Sequence, residues 1–436
     1  MILLKDNTPS TFNRYDIEDL LPISGKPIKE LIESNRNLLV FPHSIDKSYG
    51  EMHKSTIFDT QCDGNADNIK ILTNNIMGFV GKGKTKLKIA SRFDADVQRD
   101  DYFLHYMLQR VFTPNIFSLS HSHKENDIFD FLILMFPHLL NNAVNQGIFK
   151  EYQRFQHNDS HVKGTIDVAR HIRQNIPFIG KIAYNTREFT HDNHITQLIR
   201  HTIEYMHMHQ MGDVVLRMNR ETIDAVNLIK MLTPSYHKSE RQMIIQKNLR
   251  PIAHPYYTEY RPLQTLCLQI LRMERVSFGE SENEINGLLF DGAWLWEEYV
   301  NTITQQLGFT HPENKKHTDY IYLFTNNQYR QYPDFYKENI VLDAKYKFVD
   351  NGLDRNDMHQ VISYMYILKA YHGGLIYPLS DTNKSKFKQR TLNGYGGSFY
   401  TFGLPINQEK SNYASFCEQM MEAEETLIKN ISTIIA

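Results

Sequence analysis

Residues 332–347 read Tyr-Pro-Asp-Phe-Tyr-Lys-Glu-Asn-Ile-Val-Leu-Asp-Ala-Lys-Tyr-Lys, and this stretch decides how the rest of the chain is read. An aromatic-rich start, a polar Lys337-Glu338-Asn339 turn and a strand-like run from Ile340 to Tyr346 predict a β-hairpin. Side chains alternate across a strand, so Asp343 and Lys345 share one face and Ala344 takes the other. Asp334, on the partner strand, lies beside Asp343 if the register allows it. Two neighbouring aspartates suit a hard divalent cation with oxygen ligands, most simply Mg²⁺. Such an ion polarises a phosphoryl oxygen and generates hydroxide, while a lysine at the position of Lys345 positions the water or balances developing charge. Taken alone, this pattern also fits two ordinary strand-end carboxylates, so the neighbouring sequence has to decide.

Upstream, Leu288 to Val300 predicts a helix, with Leu289, Trp296, Tyr299, Val300, Ile303 and Leu307 at three- and four-residue steps. Glu298 lies on the border of that stripe, within reach of the interior. Downstream, Asp357 is expected to cap a helix from Met358 to Tyr371 that Gly373-Gly374 closes, with Gln360 and Tyr364 on one face. Leu375 to Pro378 then reads as a short buried strand. With Tyr320–Phe324 as a first strand, the expected order is helix, three strands, helix, strand.

These residues resemble a PD-(D/E)xK nuclease core, with Glu298 as the helix carboxylate, Asp334 and Asp343-Ala344-Lys345 as the central motif and Gln360 on the following helix. More narrowly, the chain resembles the McrC family, nuclease subunits of the McrBC modification-dependent (5-methylcytosine) restriction system. The likeness rests on Leu-Trp-Glu-Glu-Tyr-Val (295–300), Pro-Asp-Phe (333–335), Leu-Asp-Ala-Lys-Tyr (342–346), His-Gln-Val-Ile-Ser-Tyr (359–364) and Gly-Gly-Leu-Ile-Tyr-Pro (373–378). Tyr332 stands where many relatives carry an arginine. The resemblance implies Mg²⁺ held by Asp334, Asp343 and the Ala344 carbonyl. It also implies DNA as substrate and a McrB-like AAA+ GTPase hexamer as partner, with GTP bound by that partner.

The chain has 436 residues, 41% of them apolar and 22% charged, which suits a protein of two or three domains. No apolar run approaches a membrane span, and the N-terminus lacks the layout of a signal peptide. Cys62, Cys267 and Cys417 are too scattered for a disulfide framework, so a cytoplasmic setting is expected. A net charge of −2 leaves DNA binding to local basic patches.

Residues 78–85, Gly-Phe-Val-Gly-Lys-Gly-Lys-Thr, satisfy the P-loop expression letter for letter. A P-loop needs a helix after it, yet Lys86-Leu87-Lys88-Ile89 alternates as a strand does. A hairpin turning at Gly81–Gly83 is the better reading, with Lys82, Lys84, Lys86 and Lys88 on one face, either tracking DNA or protecting a solvated edge. A helix is expected over Tyr102–Phe112. Lys384, Lys386 and Lys388 alternate again, as a second phosphate-facing strand beside the carboxylate hairpin or as another solvated edge. The spacing predicts helices from Asp127 to Val144, up to Arg173, from His194 to about His209, and over 407–435. Gly164-Thr165-Ile166 stands where McrC relatives tend to show Gly-Arg-Ile. His121 with His123, and His207 with His209, are assigned no metal.

The expected architecture is mixed α/β: a β-rich N-terminal domain over 1–126 that is a candidate for DNA contact, a mostly helical partner-docking region over 127–275, and a PD-(D/E)xK restriction-endonuclease-like core over 276–436. The expected function is a Mg²⁺-dependent DNA endonuclease subunit that also stimulates GTP hydrolysis by its partner. Two rivals stay open: a non-catalytic adaptor of the GTPase ring, and a self-sufficient sequence-specific nuclease.

Overall fold

The structure, a computed structural model, describes residues 2–35, 37–42, 55–62, 68–83, 85–93, 101–112, 127–272, 285–312, 320–349, 352–380, 387–394, 396–407 and 412–435. The chain is mixed α/β and forms two compact units, Met1–Leu134 with Arg275–Ala436, and Met135–Glu274, where the sequence reading drew three segments. His121, His123, Lys84, Lys384 and Lys386 lie outside the described residues.

In the first unit, a five-stranded sheet runs in the order Ile2–Lys5, Thr85–Ala90, Ile76–Lys82, Ile285–Asp291, Asn37–Phe41. Its fourth strand corrects the expectation of helix from Leu288 onward. Leu288, Leu289 and Phe290 form strand, antiparallel to Ile76–Lys82 and parallel to Asn37–Phe41. All three are at most 1% exposed, and an apolar run buried on both faces carries no alternation to separate strand from helix. The helix proper, Gly292–Thr304, starts where Asp291 Oδ1 accepts from the backbone N–H groups of Ala293 (2.9 Å) and Trp294 (3.2 Å).

The P-loop-like stretch folds as a hairpin, Ile76–Lys82 against Thr85–Ala90, with Gly83 at its turn. Its first glycine serves packing. Gly78 has φ +122, and a Cβ there would meet the Leu288 carbonyl oxygen at 2.1 Å. The shared lysine face does not form. Lys86 pairs with Gly81 and Lys88 with Phe79, whereas Lys82 pairs with Thr85 and so takes the other face. Lys88 is 6% exposed, with its ammonium 5.6 Å from the Phe79 ring centre.

The second five-stranded sheet runs Phe335–Lys337, Ile340–Ala344, His372–Leu379, Ser398–Pro405, Phe387–Thr391. The predicted hairpin closes on Glu338-Asn339, with Glu338 at φ +44 and Lys337 opposite Ile340. Helix Arg355–Leu368 makes the crossover to the parallel strand His372–Leu379. Asp354 caps this helix, accepting from the Asn356 N–H at 2.7 Å, and Lys369 ends it at φ +56. Asp357 therefore sits in the first turn, and Gly373-Gly374 belongs to the strand. Gly373 lets helix and sheet approach, since a Cβ there would meet Met365 Sδ at 2.3 Å. Exposed Lys388 lies on the far edge strand, with two strands between it and Ile340–Ala344, or roughly 14 Å at sheet spacing, and not beside the hairpin.

Helices Tyr102–Phe112, Gly292–Thr304 and Tyr413–Ile435 meet around one buried carboxylate. Glu424 accepts from Tyr106 Oη (2.9 Å), Tyr299 Oη (2.7 Å) and Arg110 Nη2 (2.9 Å).

The second unit carries a three-stranded sheet, Glu151–Asp159, Ile182–Thr190 and Thr165–Ile166, with helices that include Val168–Asn175, His194–Met206, Arg220–Leu232 and Tyr260–Arg272. Asn193 caps His194–Met206 in a full capping box with Thr196. On that helix His201 is 3% exposed. Burial, reinforced by the Arg241 and Arg200 guanidiniums, pushes its imidazole down to about 4. The folded state holds it neutral, while the unfolded chain protonates it near 6.5. Its contribution is whole above pH 6.5 and is lost as pH falls toward 4. Thermal denaturation against pH should show about 2 kcal/mol of stability lost through this group by about pH 4.5, and His201→Leu should flatten that part of the profile.

Candidate metal and phosphoryl-transfer site

The hairpin places the two aspartates together. Asp343 is 1% exposed, and Asp334, partly open to solvent, accepts the Ala344 N–H through Oδ2 at 2.8 Å. Lys345 Nζ stands 2.7 Å from Asp343 Oδ2 as a close ion pair. The same ammonium donates to Gln360 Oε1 at 2.9 Å. Gln360 Nε2 donates to Tyr364 Oη at 2.7 Å, and Tyr364 donates to the Tyr332 carbonyl at 3.0 Å. Crossover helix and hairpin are thus tied into one chain of donors and acceptors ending on Lys345.

Burial, then repulsion from Glu297, raises the Asp334 carboxyl above its ordinary range. Burial, then repulsion from Asp334, does the same for Asp343. Burial alone would lower Lys345, but Asp343 and Asp334 outweigh it and the ammonium is held charged. One lysine only half balances two ionised carboxylates, which suits a further cation between them. That donor set fits Mg²⁺ completed by the Ala344 carbonyl and water. Among the described residues no group of three His, Cys, Asp or Glu is arranged to hold a metal by itself.

Of the helix carboxylates, Glu297 is the buried one, at 9% exposure, and its charge bears on Asp334. Glu298 accepts from Trp294 Nε1 at 3.1 Å. Both lie 3.9 Å from His311 Nε2, and His311 Nδ1 donates to the Asp334 carbonyl at 2.8 Å. Burial would lower the His311 imidazole, but the Glu298 carboxylate, the Asp334 carbonyl and Glu297 raise it to about 9. Sequence reading missed Glu297 and His311. His311 reaches the site because Thr310 and Tyr336 exchange backbone hydrogen bonds of 2.9 and 3.0 Å, a single bridge that leaves no pattern in the sequence.

The strand's exit is held as firmly. Tyr346 Oη lies 2.7 Å from Ser91 Oγ and donates to Met77 Sδ at 3.3 Å, and the Arg92 guanidinium stands 4.9 Å from the Tyr346 ring centre. Arg92 is itself bound to buried Asp6. A cavity of about 220 Å³ opens beside Lys345, lined in part by Lys347, Asp357 and Tyr377, and Lys347 is ion-paired with Asp357.

A protein-family model described as "McrBC 5-methylcytosine restriction system component" matches residues 71–378. No curated protein matches the chain. Among solved structures, the chain is similar to one in the refined half-complex of the tetradecameric assembly of Thermococcus gammatolerans McrB AAA+ hexamers with bound McrC. That match has a TM-score of 0.52 and 14% identity over 98% of this chain and 99% of that one, a likeness of fold. A match within the Thermococcus gammatolerans McrBC complex, at 14% identity over 72% of this chain and 89% of that one, has a TM-score of 0.33.

Proposed function

We infer the function of this chain from the premise that it belongs to the McrBC 5-methylcytosine restriction system component family: it is the DNA endonuclease subunit of such a system. The observation that carries this reading is the joined set of Asp334, Asp343, Lys345 and Gln360 on hairpin and crossover helix. Asp334 and Asp343, with the Ala344 carbonyl and water, would hold Mg²⁺. When bound, that ion supplies Lewis-acid polarisation of the scissile phosphoryl group and a more acidic water. Lys345 donates to the attacking water or to the developing charge on phosphorus-bound oxygen. Gln360 and Tyr364 hold the ammonium in place. Glu298 would orient water or a second ion, and the Glu297–His311 contact fixes the Asp334 backbone. McrC in the similar structure is bound to McrB AAA+ hexamers. By the same arrangement this chain docks on an AAA+ GTPase hexamer, which binds GTP, moves the DNA and times the cut.

Plasmid cleavage with Mg²⁺ tests this, on methylated and unmethylated DNA, with and without GTP and a McrB-like AAA+ protein. Cutting is expected only with partner and GTP together. Cutting by the chain alone would make it a self-sufficient nuclease. No cutting, with GTP hydrolysis by the partner raised, would make it an adaptor.

A further inference from the structure

The segment leading into Asp334 carries an exposed aromatic tip to which the chemistry above gives no task. Residues 320–332 read Tyr-Ile-Tyr-Leu-Phe-Thr-Asn-Asn-Gln-Tyr-Arg-Gln-Tyr: five aromatic rings, four side-chain amides, one guanidinium and no carboxylate. They fold as a ribbon, Ile321–Tyr322 against Arg330–Gln331, with Leu323 N–H donating to the Tyr329 carbonyl at 3.0 Å and Asn327 N–H to the Phe324 carbonyl at 3.1 Å. Asn327 and Tyr329 sit at φ +61 and +56, left-handed conformations that a slack loop of non-glycine residues avoids. At the tip Phe324 is 51% and Tyr329 70% exposed, their rings edge to face at 5.6 Å. On the stem the Arg330 guanidinium lies 4.3 Å from the Tyr320 ring centre. The ribbon's base is fixed to the site, because the Tyr332 carbonyl accepts from Tyr364, which Gln360 links to Lys345. Tyr329 precedes Asp334 by five residues, about 16 Å of extended chain, the span of a few base steps.

We propose that the Phe324–Tyr329 tip is a base-stacking wedge that enters duplex DNA a few base pairs from the scissile phosphate, unstacks one step and turns the backbone toward the Asp334–Asp343 site. This rests on the nuclease reading above. Aromatic faces stack on any base, and inserted apolar side chains open base steps and kink the duplex. Side-chain amides pair with base edges. A ribbon with a guanidinium and no carboxylate meets the phosphate backbone without repulsion.

The test uses the full chain in the assembly that cuts plasmid, and a duplex carrying 2-aminopurine, whose fluorescence rises when its base unstacks. The wild type should bind and raise the signal. Phe324→Ala with Tyr329→Ala should keep its Tm, bind DNA about tenfold more weakly or worse, cut more slowly and lose the rise. Phe324→Trp with Tyr329→Phe should restore all three. A double-alanine protein that binds, unstacks and cuts like the wild type overturns the wedge and leaves the nuclease reading standing. Unchanged DNA binding with lost assembly on the GTPase overturns it in favour of a protein contact. A wild type that neither binds nor cuts DNA removes the nuclease reading, and the wedge with it.

Discussion

Lys345→Ala is expected to slow DNA cleavage by roughly 100- to 1,000-fold, and Asp343→Ala to abolish it, with the fold intact in both. The asymmetry follows from what each residue touches. Lys345 contributes one charged donor, positioned by Gln360 at 2.9 Å. Asp343 would hold the metal itself. Neither holds up the hairpin: Ile340–Ala344 is paired along both edges, with Phe335–Lys337 and His372–Leu379. Asp343 is a burden to the metal-free fold, a carboxylate 1% exposed beside a second one. Neutral Asp343→Asn should therefore raise Tm without divalent metal, while cleavage is lost. Single-turnover plasmid cleavage alongside thermal denaturation reads both effects. Clean Asp343→Ala protein that still cuts would sink the assignment.

The largest loss of stability is expected from Glu424→Ala, about 3–5 kcal/mol. Removing that carboxylate leaves the Arg110 guanidinium and the Tyr106 and Tyr299 hydroxyls without their acceptor in the interior. Burial, then the negative charge of Glu424, pushes both phenols up, so they remain donors at any working pH. Glu424→Gln keeps one oxygen as acceptor for the two tyrosines but turns an amide N–H₂ donor toward Arg110, so it should cost less than alanine while still losing the Arg110 pair. Because Tyr299 shares its helix with Glu297 and Glu298, the alanine variant should also slow cleavage at temperatures where it is still folded. Denaturant titration checks the first effect; a loss below about 1 kcal/mol would mean that packing alone holds the C-terminal helix.

The hairpin was legible because Asp343, Lys345 and the polar turn carry a strand's period of two, and the crossover helix because Gln360 and Tyr364 recur at four. The start of Gly292–Thr304 was not legible, since Leu288-Leu289-Phe290 is apolar throughout and fits strand and helix equally. Glu297 and Glu298 are adjacent on a helix, about 100° apart, and the stripe could not say which one burial would choose. The lysine face failed on register: the turn leaves Lys82 opposite Thr85, which puts it on the other face from Lys86. His311 depends on contacts far apart in sequence, and no local period encodes those.

The strand Ile285–Asp291 has a consequence in time. It is the sheet partner of Asn37–Phe41 and covers one side of Ile76–Lys82, yet it leaves the ribosome about 195 residues after Ala90. At ordinary rates of synthesis that interval is roughly 10–40 s. Throughout it, two apolar strands of the growing chain wait beside an empty slot, so newborn protein is most prone to aggregate before its last third is made, and a chain cut short before residue 285 stays in that state for good.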